Sequence, residues 1–278
     1  MQPITTEIVS RTIIKRPADS HKGNYGRIML IGGNQNFGGA IIMAATAATY
    51  SGAGLVTVAT DPSNFTSLHA RLPEAMVIDY HQTDTLLNLL AGMDVIVIGP
   101  GLGTDTVADQ LLTAVLAATH VPQRLVIDGS ALTLLAQQAR TLPATDIVVT
   151  PHQMEWQRLS GIAIKDQTPT ANHDAQQRLG VTAVVKAHRT TVYTDERVWF
   201  NPGGTPAMAT GGMGDTLAGM IGGFVSQFHN FTDAVLSAVY LHSAIADDLA
   251  ATRYVVLPHQ ISTRIPTYMH RFSQIERP

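Results

Sequence analysis

Short, uninterrupted apolar runs recur along the chain, separated by longer segments in which apolar side chains return every three or four residues. Residues 27–31 (RIMLI), 55–59 (LVTVA), 75–78 (AMVI), 95–98 (VIVI), 125–127 (LVI), 147–149 (IVV) and 183–186 (AVVK) are runs of the first kind. They are too short for helices and do not alternate with polar residues, as expected of strands buried on both faces. Residues 40–50, 83–91, 105–119, 131–138 and 171–179 lie between them and are predicted to be helical. Strand, helix, strand with short connections is the unit of a parallel sheet, joined by right-handed crossovers. Near the end, 191–193 and 198–200 flank the charged turn Thr194, Asp195, Glu196, Arg197 and read as a hairpin. A helix after Asp215, another over 233–250, and a tail with Leu257, Ile261 and Ile265 spaced by four complete the pattern. The first eleven residues alternate weakly and fit an edge strand or a helix. No linker, repeat or low-complexity stretch interrupts the series, so the expectation is one α/β domain over 1–278 with a central, mostly parallel sheet between helical layers.

Four strand tips carry Gly, Asp or His: Gly32 and Gly33, Gly99 to Gly103, Asp128, and His152. Ligands gather at the carboxyl ends of strands in open parallel sheets, so these tips are expected to line one cleft. A further stretch, NPGGTPAMATGGMGDTLAGMIGGF from Asn201 to Phe224, places glycines just before a helix. Glycines there let the backbone approach a ligand and aim free N–H groups at an anion. A carboxylate among those donors would repel a phosphate, so Asp215 makes more sense as a base for a transferring phosphoryl group. The plainer alternative is a glycine-rich turn with Asp215 as helix cap.

Other residues offer chemistry at the same tips. Glu155 opens the helix after TPHQM, where it could hold magnesium through water or simply complement the helix N-terminus. His152 beside it is a candidate substrate contact, against the usual fate of a loop histidine, which is solvation. Lys186 ends a strand in VVKAHRT and is placed to meet a phosphate as a point charge; the alternative is a surface lysine. Met208, Met213 and Met220 read as packing residues.

Composition changes this picture by exclusion. With 18 basic and 21 acidic side chains, a net charge of -3 and no long block of either sign, nucleic acid is not an expected partner. The absence of cysteine removes disulfides and thiolate metal sites and favours a reducing cytoplasm. No charged residue occurs between Arg27 and Asp61, but glycines, asparagines and Ser51 break that segment into pieces too short to span a bilayer. Glu7, Arg11, Lys15 and Arg16 interrupt the region a signal peptide would need to be apolar.

KGNYG before a strand and IGG, GGAIIMAATAATYSGAGLVTVAT, VIVIGPGLG, TPHQME, VVKAHRT and NPGGTPAMATGGMGDTLAG stand in one order. In that order the chain resembles the ADP- or ATP-dependent NAD(P)H-hydrate dehydratases, from about Lys22 to the last long helix. The resemblance implies a three-layer ribokinase-like fold and a repair reaction. A nucleotide phosphorylates the ring hydroxyl of (6S)-hydrated NADH or NADPH, and phosphate then leaves as the double bond reforms. It implies Asp215 as base, with the amides around Gly212 and Gly214 stabilising the transferring group. Ala40, Gly103, His152 and Asp215 would contact the hydrated cofactor. Lys186, Ala187, His188, Arg189, Thr190 and Gly214 would contact the nucleotide, with ADP as first choice over ATP. Mg2+, a cytoplasmic location and a homo-oligomer, often a homotetramer, are further implications.

The sequence departs from the family pattern at Ser130, where an acidic residue is usual, at Met213 in place of a small hydroxyl residue, at Ala187 in place of glycine, and at Gln153 and Met154 in place of proline and glycine. Two alternatives share the same residues. One is a small-molecule kinase of the same fold, of the hydroxymethylpyrimidine or hydroxyethylthiazole type; the other is a nucleotide-binding regulator without catalysis.

Overall fold

The computed structural model describes residues 1–275. The chain opens with a short strand, β1 (Gln2–Pro3), and a helix, α1 (Thr6–Thr12). Then come β2 (Arg27–Ile31), α2 (Gly38–Tyr50), β3 (Leu55–Thr60), α3 (Phe65–Arg71), β4 (Met76–Asp79), α4 (Thr83–Leu90), β5 (Val95–Ile98) and α5 (Thr106–Ala118). The middle holds β6 (Arg124–Ile127), α6 (Gly129–Gln137), β7 (Asp146–Val149), α7 (Gln153–Ser160), α8 (Pro169–Leu179) and β8 (Thr182–Val185). The hairpin β9 (Thr191–Tyr193) and β10 (Val198–Phe200) leads to α9 (Met213–Val225), α10 (Phe231–Ala250) and α11 (Pro258–Ser273).

The ten strands of the described residues form one sheet in the order β1-β10-β9-β8-β7-β6-β5-β2-β3-β4. From β4 across to β8 every pairing is parallel; β9 is antiparallel to both its neighbours, and β1 returns parallel to β10. Because strand side chains alternate between faces, each apolar run feeds two cores. Ile28, Leu30, Val97, Val126, Val148 and Val184 join the core beneath α1, α2, α9, α10 and α11. Met29, Ile31, Ile96, Ile98, Ile127 and Val149 face the opposite core, with α5, α6 and Trp156 of α7. The result is the helix, sheet, helix layering expected from the apolar runs.

The strand order reverses direction between β2 and β5, and the loops leaving these two strands are tied together there. The Gly33 and Asn34 amides donate to the carbonyls of Pro100 and Gly101, at 2.9 and 2.7 Å. On the first core's side, α2 and α9 pack closely enough that a β-carbon on Gly219 would lie 2.0 Å from the Ala44 carbonyl oxygen. This contact sets the start of α9 beside the first turns of α2. Among the described residues no helix is long and apolar enough to cross a membrane.

Candidate active site

Helix α9 begins at Met213, three residues earlier than the sequence implied. Gly212 is its N-cap, with φ of +92°, a left-handed conformation that favours glycine. A side chain at Gly212 would also meet the Met43 sulfur at 2.3 Å. Asp215 therefore sits in the first turn and is not the cap. The amides of that turn have no acceptor within the helix and, with the helix dipole, form a site for negative charge.

Lys186 lies one residue past β8, where it bridges to His152 and donates its amide to the Pro151 carbonyl at 2.8 Å. Its Nζ donates to Asp128 Oδ1 at 2.9 Å, and Thr150 Oγ1 donates to the same oxygen at 2.6 Å. Asp128 is only 2% exposed, whereas the lysine side chain keeps 22% of its surface open. A β-carbon on Gly214 would begin 3.0 Å from Lys186 Nζ, so the ammonium rests against the first turn of α9. That turn repels a cation. Asp128, Glu155 and Asp215 compensate.

The proton affinities record this balance. Burial pushes the Asp215 carboxyl up to about 6; Asp128 and Glu155 push the same way, while Lys186 and the backbone pull down. For Lys186, burial works against the charge, but attraction to Asp128, Glu155 and Asp215 outweighs it and the net shift is upward. His242 of α10 is buried beneath the loop, and burial followed by the Lys186 charge lowers it to about 4, against an upward pull from the Met213 backbone. A neutral His242 adds no second cation under the lysine.

His152 and Glu155 cap α7 reciprocally. The ring Nδ1 accepts the amides of Met154 and Glu155, at 3.1 and 3.2 Å, and Glu155 Oε2 accepts the His152 amide at 2.8 Å. His152 is still half exposed and Glu155 nearly buried. The plain helix-complementing role foreseen for Glu155 is thus present, carried by one of its two oxygens.

The Gly99 to Gly103 loop lies on the other flank of Asp128. A β-carbon on Gly99 would strike the Asp128 carbonyl oxygen, and the Gly103 amide donates to Ser130 Oγ at 3.1 Å. Ser130, which departs from the family pattern, therefore anchors the loop. Ala40, in the first turn of α2, lies 3.0 Å from where a Gly101 β-carbon would be. Ala187, His188, Arg189 and Thr190 join β8 to β9. The first three are exposed; His188 and Arg189 border the loop between β10 and α9 at Gly204, and Asn201 donates its amide to the Thr190 carbonyl at 2.8 Å. Met220 is fully buried, and Met208 and Met213 pack against the same core, as packing residues should.

The predicted residues thus share one rim at the carboxyl ends of β2, β5, β6, β7 and β8. Sequence reasoning passed over Asp128 and Thr150 as partners of Lys186. The available signal was an aspartate at a buried strand's carboxyl end, directly before a helix. Two cavities, of about 1140 and 740 Å3, lie elsewhere. The first is bounded by Ile13 to Tyr25, the end of α2 and α11; the second lies beside the starts of β7 and β8. Neither is lined by Asp215, Lys186 or Asp128, and the charge cluster is the better guide to chemistry than enclosed volume. Among the described residues no group of three His, Asp or Glu side chains is arranged to hold a metal ion.

A mostly parallel sheet between helical layers, with an anion-receiving helix start beside a lysine and a carboxylate, defines a ribokinase-like protein. A ribokinase-like superfamily protein from Enterococcus faecalis superposes with a TM-score of 0.97 at 51% identity, over 99% of this chain and 97% of its own. Residues 28–267 match the family model of the NAD(P)H-hydrate dehydratases, and the chain belongs to that family. The ADP-dependent (S)-NAD(P)H-hydrate dehydratase of Lactiplantibacillus plantarum is 99% identical over 278 residues, all of both chains. The ADP/ATP-dependent NAD(P)H-hydrate dehydratase of Bacillus subtilis, crystallised with ATP and Mg2+, gives a TM-score of 0.86 at 30% identity over 98% of each chain.

Proposed function

We propose that this protein is an ADP-dependent dehydratase of (6S)-hydrated NADH and NADPH. The observation that carries the proposal is the Lys186 ammonium, fixed by Asp128 against the first turn of the helix that bears Asp215. An anchored cation and free amides suit a phosphoryl group in transfer, and a carboxyl held near 6 suits a base at neutral pH.

Asp215 takes the proton of the ring hydroxyl as its oxygen attacks the β-phosphorus of ADP. The bond to the bridging oxygen breaks and AMP departs. Lys186 and the amides of Gly212 to Gly214 hold the charge on the transferring group. Phosphate then leaves the ring carbon with the C–O bonding pair, assisted by the ring nitrogen, and a proton lost from the adjacent carbon restores the double bond. Hydroxide is a poor leaving group and phosphate a good one, hence the need for a nucleotide. In this reading Ala40, Gly103 and His152 orient the hydrated ring, and Lys186 to Thr190 with Gly214 receive the nucleotide.

Mg2+ fits this donor set as an ion that arrives on the nucleotide, since it keeps much of its hydration and needs only one or two carboxylates. Glu155, whose cap uses only Oε2, is the residue to hold it through water, and the ion would neutralise phosphate charge. One sheet that pairs β1 at the chain's start with β10 supports a single domain. A homo-oligomer in the cytoplasm completes the proposal, on the strength of the family resemblance.

Incubation with hydrated NADH and either ADP or ATP, following the dihydronicotinamide absorbance, tests the function. Recovery that requires nucleotide and releases phosphate is the expected result. A stable phosphorylated product would make the protein a kinase, and binding without turnover a regulator. Asp215→Asn is expected to lose at least ~10²-fold in rate while still binding nucleotide.

A further inference from the structure

Helix α10 grips the stretch that leads from β10 into the glycine loop. Asn201 Nδ2 donates to Ser243 Oγ at 2.7 Å, and one turn later Asp247 accepts the Gly204 amide, at 3.0 Å to Oδ2 and 3.2 Å to Oδ1. The same stretch borders the segment proposed to receive the nucleotide. A β-carbon on Gly204 would lie 3.5 Å from the His188 carbonyl oxygen, and Arg189 Nη1 points at the Gly204 carbonyl from 3.5 Å. Asp247 is thus one residue's width from the β8–β9 connection. It is also exposed. A carboxylate has about four acceptor positions, and a single shared amide leaves room for more donors.

Charge fixes which part of a nucleotide can lie there. The phosphates belong at Lys186 and the first turn of α9, where the cation and the free amides are. A carboxylate repels phosphate, so Asp247 can face only the uncharged nucleoside. The spacing allows this: the chain bends after Lys186, so two residues bring His188 no more than about 7 Å away, within the reach of a diphosphate. The ribose diol offers two adjacent O–H donors, which a carboxylate can accept together. We propose that Asp247 accepts the ribose hydroxyls of the adenine nucleotide, a role that rests on the nucleotide reading above. Holding Gly204 and the ribose with one side chain ties nucleotide occupancy to the loop that ends in the anion site.

Calorimetric titration tests this without the hydrated substrate. The unaltered protein, Asp247→Asn and Asp247→Ala are each titrated with ADP and with 2′,3′-dideoxy-ADP. A hydrogen bond from a neutral donor to a charged acceptor is worth about tenfold in affinity or more. The unaltered protein is therefore expected to bind ADP about tenfold more tightly than the dideoxy analogue. Asp247→Ala is expected to bind both alike, near the affinity of the unaltered protein for the analogue. Asp247→Asn keeps an acceptor for the Gly204 amide and falls between, which covers the case in which the alanine variant disturbs the loop. An equal loss for both ligands in both variants would reduce Asp247 to a loop pin and overturn the proposal, as would unchanged ADP affinity. Equal binding of the two ligands by the unaltered protein sinks the ribose role and leaves the dehydratase standing; no ADP binding at all sinks both.

Discussion

If Asp215 is kept as a base at a cost to the fold, replacing it by an uncharged isostere should stabilise the protein, and only at pH values where the carboxylate is ionised. Its folded pKa is raised from 3.8 to about 6, chiefly by burial and then by Asp128. A raised carboxyl pKa means the folded state prefers the protonated acid. That preference is fully present below about pH 4 and is lost as pH climbs through about 6. The difference, at about 1.4 kcal/mol per tenfold in proton affinity, sets a ceiling of about 3 kcal/mol. Partial exposure of Asp215 and the loss of its attraction to Lys186 bring the expected gain for Asp215→Asn nearer 1–2 kcal/mol at pH 8. For a chain of this length that is a rise of roughly 2–6 °C in Tm. Urea unfolding of the two proteins at pH 8 and pH 4 measures it directly. The gain should be present at pH 8 and vanish at pH 4. A less stable variant at pH 8, or the same gap at both values, would refute the reasoning and return Asp215 to a structural residue of the helix start.

Two further substitutions probe the surrounding groups. Ser130→Ala deprives the Gly103 amide of its acceptor, at about 1 kcal/mol; steady-state kinetics should show a KM several-fold higher for the hydrated dinucleotide and little change for ADP, and the opposite pattern would move Gly103 to the nucleotide side. Asp128→Asn keeps an acceptor for Thr150 but leaves Lys186 without its ion pair, at about 2 kcal/mol of stability given the partial exposure of the lysine. It also removes a repulsion from Asp215, so the acid limb of the rate profile should move below the value near pH 6 expected for the unaltered protein; an unmoved limb would mean that Asp128 does not act on the base.

The fold was legible where local pattern and tertiary role coincide. Strands buried on both faces announce themselves as unbroken apolar runs, and β2, β5, β9 and β10 span the predicted residues. The α1 and α3 helices are not legible, because seven residues cover barely two turns and show little periodicity. At the site, glycine positions and residue types were legible, but pairings were not. Lys186 and Asp128 stand 58 residues apart, and Gly103 and Ser130 27 apart; only the sheet order makes each pair adjacent. His152 and Glu155 are the exception, since a side-chain acceptor three residues before a glutamate is a local capping signal that could have been read as one.

Three carboxylates, Asp128, Glu155 and Asp215, act on a single ammonium at Lys186. The cluster is therefore negative with the carboxylates ionised, although it adjoins a helix start suited to phosphate. A bare diphosphate would meet repulsion from the groups that hold the lysine and take the proton. Two features relieve it. As the proposed base, Asp215 near 6 would pass its charge to a proton as the hydroxyl is activated, so negative charge on the protein would fall as it rises on the transferring oxygen. A divalent cation carried by the nucleotide would offset the charge of Glu155 and the phosphates together. The Asp128–Lys186 pair cannot relax in this way, being buried on the aspartate side and tied to Thr150. It is the fixed part of the site, around which the proposed base, nucleotide and divalent cation would exchange charge.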